Sequence, residues 1–292
     1  MPPWSADVRA FVTGAAGQVG RELVELLERR NRADDVIIAA DRSRVDLADR
    51  DAVLGAICST EPDVVFHVGA FTAVDRCESE ADHAYAVNAL GTRHVADACR
   101  RVGAHLVYVS TDYVFDGTKT GPYHEWDSPD PRSVYGRSKL GGELACGPEA
   151  TVVRTSWVCG RYGANMVRTV LRVAEQPGRL RFVADQVGHP TFADDLAAML
   201  LRLGIDRRPG TFHVTNQGAV SWYEFVRAIL AAAGDDPDRV DPITTAELDP
   251  PRPAPRPANS VLDNAALRLS GIELLDDFRV PLARLVAFLR AS

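Results

Sequence analysis

Val12-Thr13-Gly14-Ala15-Ala16-Gly17-Gln18-Val19-Gly20 joins a short apolar run, Val8–Val12, to an amphipathic stretch, Val19–Arg30. In the second stretch Val19, Leu23, Leu26 and Leu27 fall on one face at helical spacing, whereas the first is rich in the branched residues of a buried strand. A strand, a glycine-rich turn and a helix in that order open a Rossmann unit. Glycines at 14, 17 and 20 let the backbone turn tightly and approach a pyrophosphate, which the helix N-terminus then stabilises. The spacing is G-x-x-G-x-x-G, so the placement between strand and helix carries more weight than the triplet.

The same rhythm continues along the chain. Val36–Ala40, Val64–Val68, Leu106–Val109 and Thr151–Val153 read as further buried strands. Ala84–Val102, with Val87, Leu90, Val95 and Ala98 on one face, reads as a long helix between two of them. Alternating strands and helices predict an α/β fold: a Rossmann-type, doubly wound parallel sheet with helices on both sides. Ligands then bind at the C-terminal ends of the strands. Beyond residue 158 the rhythm loosens into Leu180–Ala184, Asp194–Leu203, Thr211–Thr215, Trp222–Ala233 and a closing helix near Val280–Arg290. The run Pro250-Pro251-Arg252-Pro253-Ala254-Pro255-Arg256-Pro257 cannot be a helix or a central strand. The expected division is a dinucleotide-binding domain over 1–158 and, over 159–292, a smaller α/β substrate-binding cap with some elements returning to the sheet.

Composition narrows the function classes. Of 292 residues 46% are hydrophobic and 25% charged, as in ordinary soluble domains. A net charge of -7 without a basic stripe argues against nucleic acid. Cys58, Cys77, Cys99, Cys146 and Cys159 are odd in number and form no Cys-x-x-Cys pair, so neither a disulfide framework nor structural zinc is expected. Met1–Asp7 has neither the basic region nor the apolar run of a signal peptide, and no apolar stretch approaches the roughly 18 residues of a membrane span. A cytoplasmic protein without membrane partners is the expectation.

Several residues are placed for a dinucleotide. Asp41 ends the second strand, where a carboxylate can accept from an adenosine ribose. Arg42 beside it could pair with a 2′-phosphate instead, which leaves NADH and NADPH both open. Asp46-Leu47 falls where the next loop would meet adenine, or else forms the N-cap region of a helix over Ala52–Ile57. Gly69-Ala70-Phe71-Thr72 leaves the third strand as a small-residue loop close to the cofactor, and Asn88 follows as a polar support or a solvated side chain.

Tyr135-Gly136-Arg137-Ser138-Lys139 puts a phenol and an ammonium one helical turn apart. A nearby cation is expected to lower a phenol's pKa from about 10 and make it a usable proton donor and acceptor. The pair follows a fourth strand that ends Val109-Ser110-Thr111-Asp112-Tyr113, whose hydroxyls would reach the same sheet edge.

With these stretches the chain resembles the dTDP-4-dehydrorhamnose reductases, within the extended short-chain dehydrogenase/reductase superfamily. The resemblance covers nearly the whole length, in order. It runs through Thr13-Gly14 to Gly20, Thr72-Ala73-Val74-Asp75, Ser110-Thr111-Asp112-Tyr113-Val114-Phe115-Asp116-Gly117 and Tyr135 to Lys139. It continues in Arg154-Thr155-Ser156-Trp157-Val158, Asp185-Gln186-Val187-Gly188-His189-Pro190-Thr191 and Arg256-Pro257-Ala258-Asn259-Ser260-Val261-Leu262. It implies hydride transfer from a nicotinamide to C4 of a nucleotide-linked 4-keto-6-deoxysugar. Thr111 would bond the ketone oxygen, Tyr135 would deliver the proton, and Lys139 would tune Tyr135 and hold the nicotinamide ribose. Asp112, Tyr113 and Trp157 would line the sugar pocket, and Arg256 would meet the substrate diphosphate.

The chain departs from the family at Cys159, where tyrosine is usual, and at Met166, where phenylalanine is, so the pocket is expected to differ there. Some members form homodimers that bind Mg²⁺ through interface glutamates. Glu22 matches one such position and Asp194 approximates another, but no third acid completes the set, and no metal is assigned. Dehydratases of the same fold carry Asp-Glu after the strand-end threonine; here Tyr113 follows Asp112, which favours reduction over elimination. The remaining alternatives are a reductase of another dTDP-4-keto-deoxysugar in secondary metabolism and a non-catalytic regulatory subunit.

Overall fold

A computed structural model describes residues 7–30 and 34–291; the stretch Met1–Ala6, read above for a signal peptide, lies outside the described residues. The first half alternates as the apolar runs require. In order come β1 (Arg9–Thr13), α1 (Gln18–Arg29), β2 (Val36–Ala40), α2 (Arg50–Thr60), β3 (Val64–His67), α3 (Val74–Ser79), α4 (Ala81–Tyr85), α5 (Gly91–Val102), β4 (His105–Thr111), α6 (Val134–Cys146) and β5 (Thr151–Thr155). The second half gives β6 (Val158–Cys159), α7 (Met166–Ala174), β7 (Leu180–Val183), β8 (Val187–Gly188), β9 (Thr191–Phe192), α8 (Ala193–Ile205), β10 (Gly210–His213), β11 (Val220–Ser221), α9 (Trp222–Ala232), β12 (Val240–Ile243), α10 (Ala265–Leu269) and α11 (Arg279–Ala291). The proline-rich run 250–257 is neither helix nor strand. None of the described helices is long and apolar enough to cross a membrane.

Six strands form one parallel sheet in the order β10-β5-β4-β3-β1-β2. The chain leaves β1 in one direction and returns to β3 on its other side, so the crevice at the strand ends opens between β1 and β3. Side chains alternate across the sheet. Val64 and Phe66 join Leu23, Leu27, Leu196 and Leu200 under α1 and α8, whereas Phe11, Val65 and Tyr108 join Ile57 and Val95 under α2 and α5. A third cluster, with Val167, Phe192, Phe225, Ile229 and Leu282, forms the core of the later elements. Two of those elements belong to the main sheet: β10 pairs with β5, and α8 packs on α1.

The long helix expected over Ala84–Val102 is not uniform. A wide π-type turn over Ala86–Leu90 separates α4 from α5 and carries Asn88. Thr92 Oγ1, in the first turn of α5, donates to the Asn88 carbonyl at 2.6 Å. The second helix is capped by Asp49, whose carboxylate accepts from the amides of Asp51 and Ala52 at 3.0 Å, and not by Asp46.

Candidate active site

The glycine turn is built for close approach. Gly14 has φ +64°, and a Cβ there would lie 2.6 Å from Gly69 Cα, so the loops leaving β1 and β3 touch backbone to backbone. A Cβ on Gly20 would collide with the Gly14 carbonyl. Gly17 is the N-cap of α1, whose first turn has no acidic residue to oppose an anion. The cradle therefore fits a pyrophosphate. Gln18 reaches the other way, donating to Ala164 O at 3.3 Å and accepting from Asn165 Nδ2 at 3.1 Å, while Val19 packs against the core.

Beside the turn, one cleft is lined by Gly14, Asp41, Arg42, Asp46, Leu47 and Ala70. Residues predicted from four separate stretches of sequence meet there, and Asp46 belongs to the cleft rather than to the cap of α2. Phe71, His83 and Val87 also line it, although sequence reasoning did not select them. His83 and Val87 are one helical turn apart, a periodic signal that was legible. Asp41 accepts from Ser43 N and Ser43 Oγ, at 2.9 and 2.6 Å, and these bonds hold its carboxyl below the usual range. Thr72 is exposed and does not line this cleft.

Asn88 does not face the cleft. It is buried, and its amide accepts from Phe71 N at 2.8 Å while donating to Phe71 O and Ser138 Oγ, both at 3.0 Å. It ties the β3 loop to the helix of Tyr135 and Lys139. A second buried link, unrecognised in the sequence, is His67. Its Nδ1 bonds Thr13 Oγ1 at 2.7 Å, and its Nε2 bonds Thr92 Oγ1 at 3.1 Å. Since Thr92 spends its proton on the Asn88 carbonyl, His67 Nε2–H is the donor to Thr92, and Thr13 Oγ1–H donates to Nδ1.

Thr111 closes β4, and Tyr135 is in the first turn of α6. Thr111 lies close enough to the Tyr135 phenol to pull its pKa down. Tyr113 packs edge-on against Tyr135 with ring centroids 5.5 Å apart. Thr111 Oγ1 also donates to Asp112 Oδ1 at 2.9 Å and accepts from Tyr113 N at 3.2 Å. Burial raises the Asp112 carboxyl to about 6, and its Oδ2 has no hydrogen-bond partner among the described residues.

Lys139 behaves differently from the expectation. Its Nζ donates to Val109 O at 2.7 Å and stands 4.1 Å from the centroid of the Tyr108 ring. Burial lowers the ammonium to about 7, against smaller opposing effects of Cys146 and Glu143. Burial also pushes the Tyr135 phenol above its ordinary value, with Thr111 working the other way. Desolvation, and not the expected lowering by the lysine, governs the phenol, which is held protonated.

Arg256 is neither solvated nor free. It makes a two-pronged pair with Asp75, at 2.5 and 2.8 Å, and interacts with Tyr113. Trp157, half-buried with φ +46°, stacks on Trp222 at 3.6 Å between ring centroids. Cys159 and Met166 contribute to the core of the later elements around Val167, Phe192 and Phe225. Burial raises the Cys159 thiol to about 12, so it is an inert packing group.

The acids matched to a family magnesium position do not form a cation donor set. Both oxygens of Glu22 are taken by Arg161, which also pairs with Glu25 at 3.0 Å. Asp194 and Asp195 pair with Arg284 at 3.3 and 2.7 Å. Each of these carboxylates already has a guanidinium partner.

The family described as the RmlD substrate binding domain matches residues 8–290. The dTDP-4-dehydrorhamnose reductase of Mycobacterium tuberculosis is 43% identical over 288 residues, 96% of this chain and 92% of that one. The chain belongs to the dTDP-4-dehydrorhamnose reductase family. The spore coat polysaccharide biosynthesis protein SpsK of Bacillus subtilis is a further relative, 42% identical over 90% of this chain and 92% of its own. Among solved structures, the dTDP-4-dehydrorhamnose reductase of Bacillus anthracis in complex with NADP superposes with a TM-score of 0.91. It is 36% identical over 98% of this chain and 100% of that one.

Proposed function

We propose that this chain reduces the C4 ketone of a nucleotide-linked 4-keto-6-deoxysugar, converting dTDP-4-dehydro-L-rhamnose to dTDP-L-rhamnose with NADPH or NADH. The observation that carries the reading is the convergence of Thr111, at the end of β4, and buried Tyr135, at the start of α6, on the sheet edge that also holds the glycine turn. Family membership supplies the substrate class. The glycine cradle and the Asp41–Leu47 side of the cleft would hold the dinucleotide.

The bound nicotinamide supplies the hydride. Tyr135, kept protonated by burial, gives its proton to the ketone oxygen as negative charge develops there. Thr111, turning its proton from Asp112 to the substrate, donates to the same oxygen and orients it. Lys139, one turn along α6, then offsets the charge left on the phenolate. Asp112, Tyr113 and Trp157 form walls of the sugar pocket. Arg256, already fixed by Asp75, presents its remaining donor capacity to the diphosphate. The elements from residue 159 onward, apart from β10 and α8, act as the substrate cap. Unpaired cysteines support a reducing cytoplasm as the setting, and exposed Leu90 and Leu144 support a homodimer, which light scattering would read.

The test supplies dTDP-4-keto-6-deoxy-L-mannose and follows loss of NADPH absorbance in wild type and Tyr135→Phe. Turnover should fall by about a hundredfold or more in the variant, the scale of a general acid. An active wild type with an unimpaired variant would overturn the assignment of Tyr135. Conversion of dTDP-glucose to a 4-keto product without NADPH consumption would favour a dehydratase instead.

A further inference from the structure

Trp157 holds a backbone conformation that a bulky residue seldom adopts, with φ +46°. Such a residue persists only where its surroundings over-determine it. Three contacts do so here. Trp222 covers one face of the indole, centroids 3.6 Å apart and planes within 11°. Gly188 flanks it so closely that a Cβ there would lie 2.9 Å from the ring. The Trp157 carbonyl accepts from Thr191 N at 3.3 Å.

One short strand pair delivers two of these contacts. β11 pairs with β8, Val220 opposite Gly188 and Ser221 opposite Val187. Ser221 then caps α9 through a reciprocal bond with Glu224, and Trp222 is the first residue of that helix. The same Gly188 borders the catalytic side, because its Cβ position would also lie 2.7 Å from Ser260 Oγ. Ser260 lies beside the Asp112 carboxyl, and Asp112 accepts from Thr111. Phe225, a further aromatic on α9, is fully buried, whereas both tryptophans are half-buried, so the stack keeps an accessible side.

We propose that Trp222 is a positioning residue for sugar recognition: by stacking on Trp157 it fixes the angle at which that indole meets the substrate. The proposal rests on the reading of Trp157 as a wall of the sugar pocket. Trp222 itself need not touch the sugar; it removes the rotamers in which Trp157 would swing out of the pocket.

The test compares Trp222→Leu, Trp222→Phe and Trp157→Leu in the full-length protein with dTDP-4-keto-6-deoxy-L-mannose and NADPH. The near-ultraviolet circular-dichroism couplet of two stacked indoles should vanish in all three. KM for the sugar nucleotide should rise about tenfold to a hundredfold in Trp222→Leu, with KM for NADPH unchanged. Trp222→Phe keeps a ring and should show a smaller rise; it carries the comparison if Trp222→Leu fails to fold. A raised sugar KM in Trp157→Leu with no rise in either Trp222 variant overturns the proposal and leaves the pocket reading intact. An unchanged sugar KM in Trp157→Leu overturns the pocket reading, and the proposal with it.

Discussion

Asn88 grips the backbone of Phe71 on both of its polar groups, accepting from the amide at 2.8 Å and donating to the carbonyl at 3.0 Å. A single buried side chain thereby sets the loop that leaves β3 and, through Ser138 Oγ, the helix of Tyr135 and Lys139.

Asn88→Ala should cost about 2–4 kcal/mol in urea unfolding, since it strands buried partners on two elements. NADPH affinity should fall with it, because Phe71 lines the cleft. Unchanged affinity in the variant would detach the clamp from cofactor binding.

Asp112 makes stability depend on pH. Its carboxyl rises from 3.8 unfolded to about 6 folded, so the folded chain disfavours the carboxylate. No penalty exists below pH 3.8; it grows as pH rises and is complete above about 6. Asp112→Asn should therefore gain melting temperature over wild type at pH 8, with the gap narrowing towards pH 4. A gap that does not vary with pH would contradict this.

Lys139 shifts in the opposite chemical sense. Its ammonium falls from 10.5 unfolded to about 7 folded. Stability present above 10.5 is lost as pH drops, and the full penalty applies below 7. Lys139→Met should raise the melting temperature more at pH 6 than at pH 9 while greatly reducing turnover. Thermal melts at the two pH values, with activity measured alongside, decide it.

The ion pairs of Glu22 with Arg161 replace what a cation would supply. Turnover should be the same in EDTA and in added Mg²⁺. Arg161→Ala should destabilise the chain by about 3 kcal/mol in urea, as expected when one partner of a buried pair is removed. Inhibition by EDTA that Mg²⁺ reverses would show that another donor set exists.

Much of the sheet was legible because its strands are buried on both faces and read as unbroken apolar runs. Val36–Ala40 appears in the structure with the bounds read from the sequence, whereas Leu106–Val109 lengthens to His105–Thr111 because polar residues close its ends. The cleft residues 14, 41, 42, 46, 47 and 70 were legible because each leaves a strand at the same edge. His67 was hidden inside an apolar strand, and its use depends on Thr92, which is 25 positions away. Trp222 could not be linked to Trp157 without the pairing of Val220 with Gly188. The phenol's rise was missed because spacing reports the neighbouring ammonium and says nothing of solvent loss.

The return of β10 to the edge of β5 has a practical corollary for anyone dissecting this molecule. A fragment stopped at residue 158 would carry every glycine and hydroxyl of the reaction edge, yet β5, buried along its length, would face water as an open strand. The C-terminal half therefore completes the scaffold that presents the chemistry, and such a fragment is better expected in inclusion bodies than in an assay.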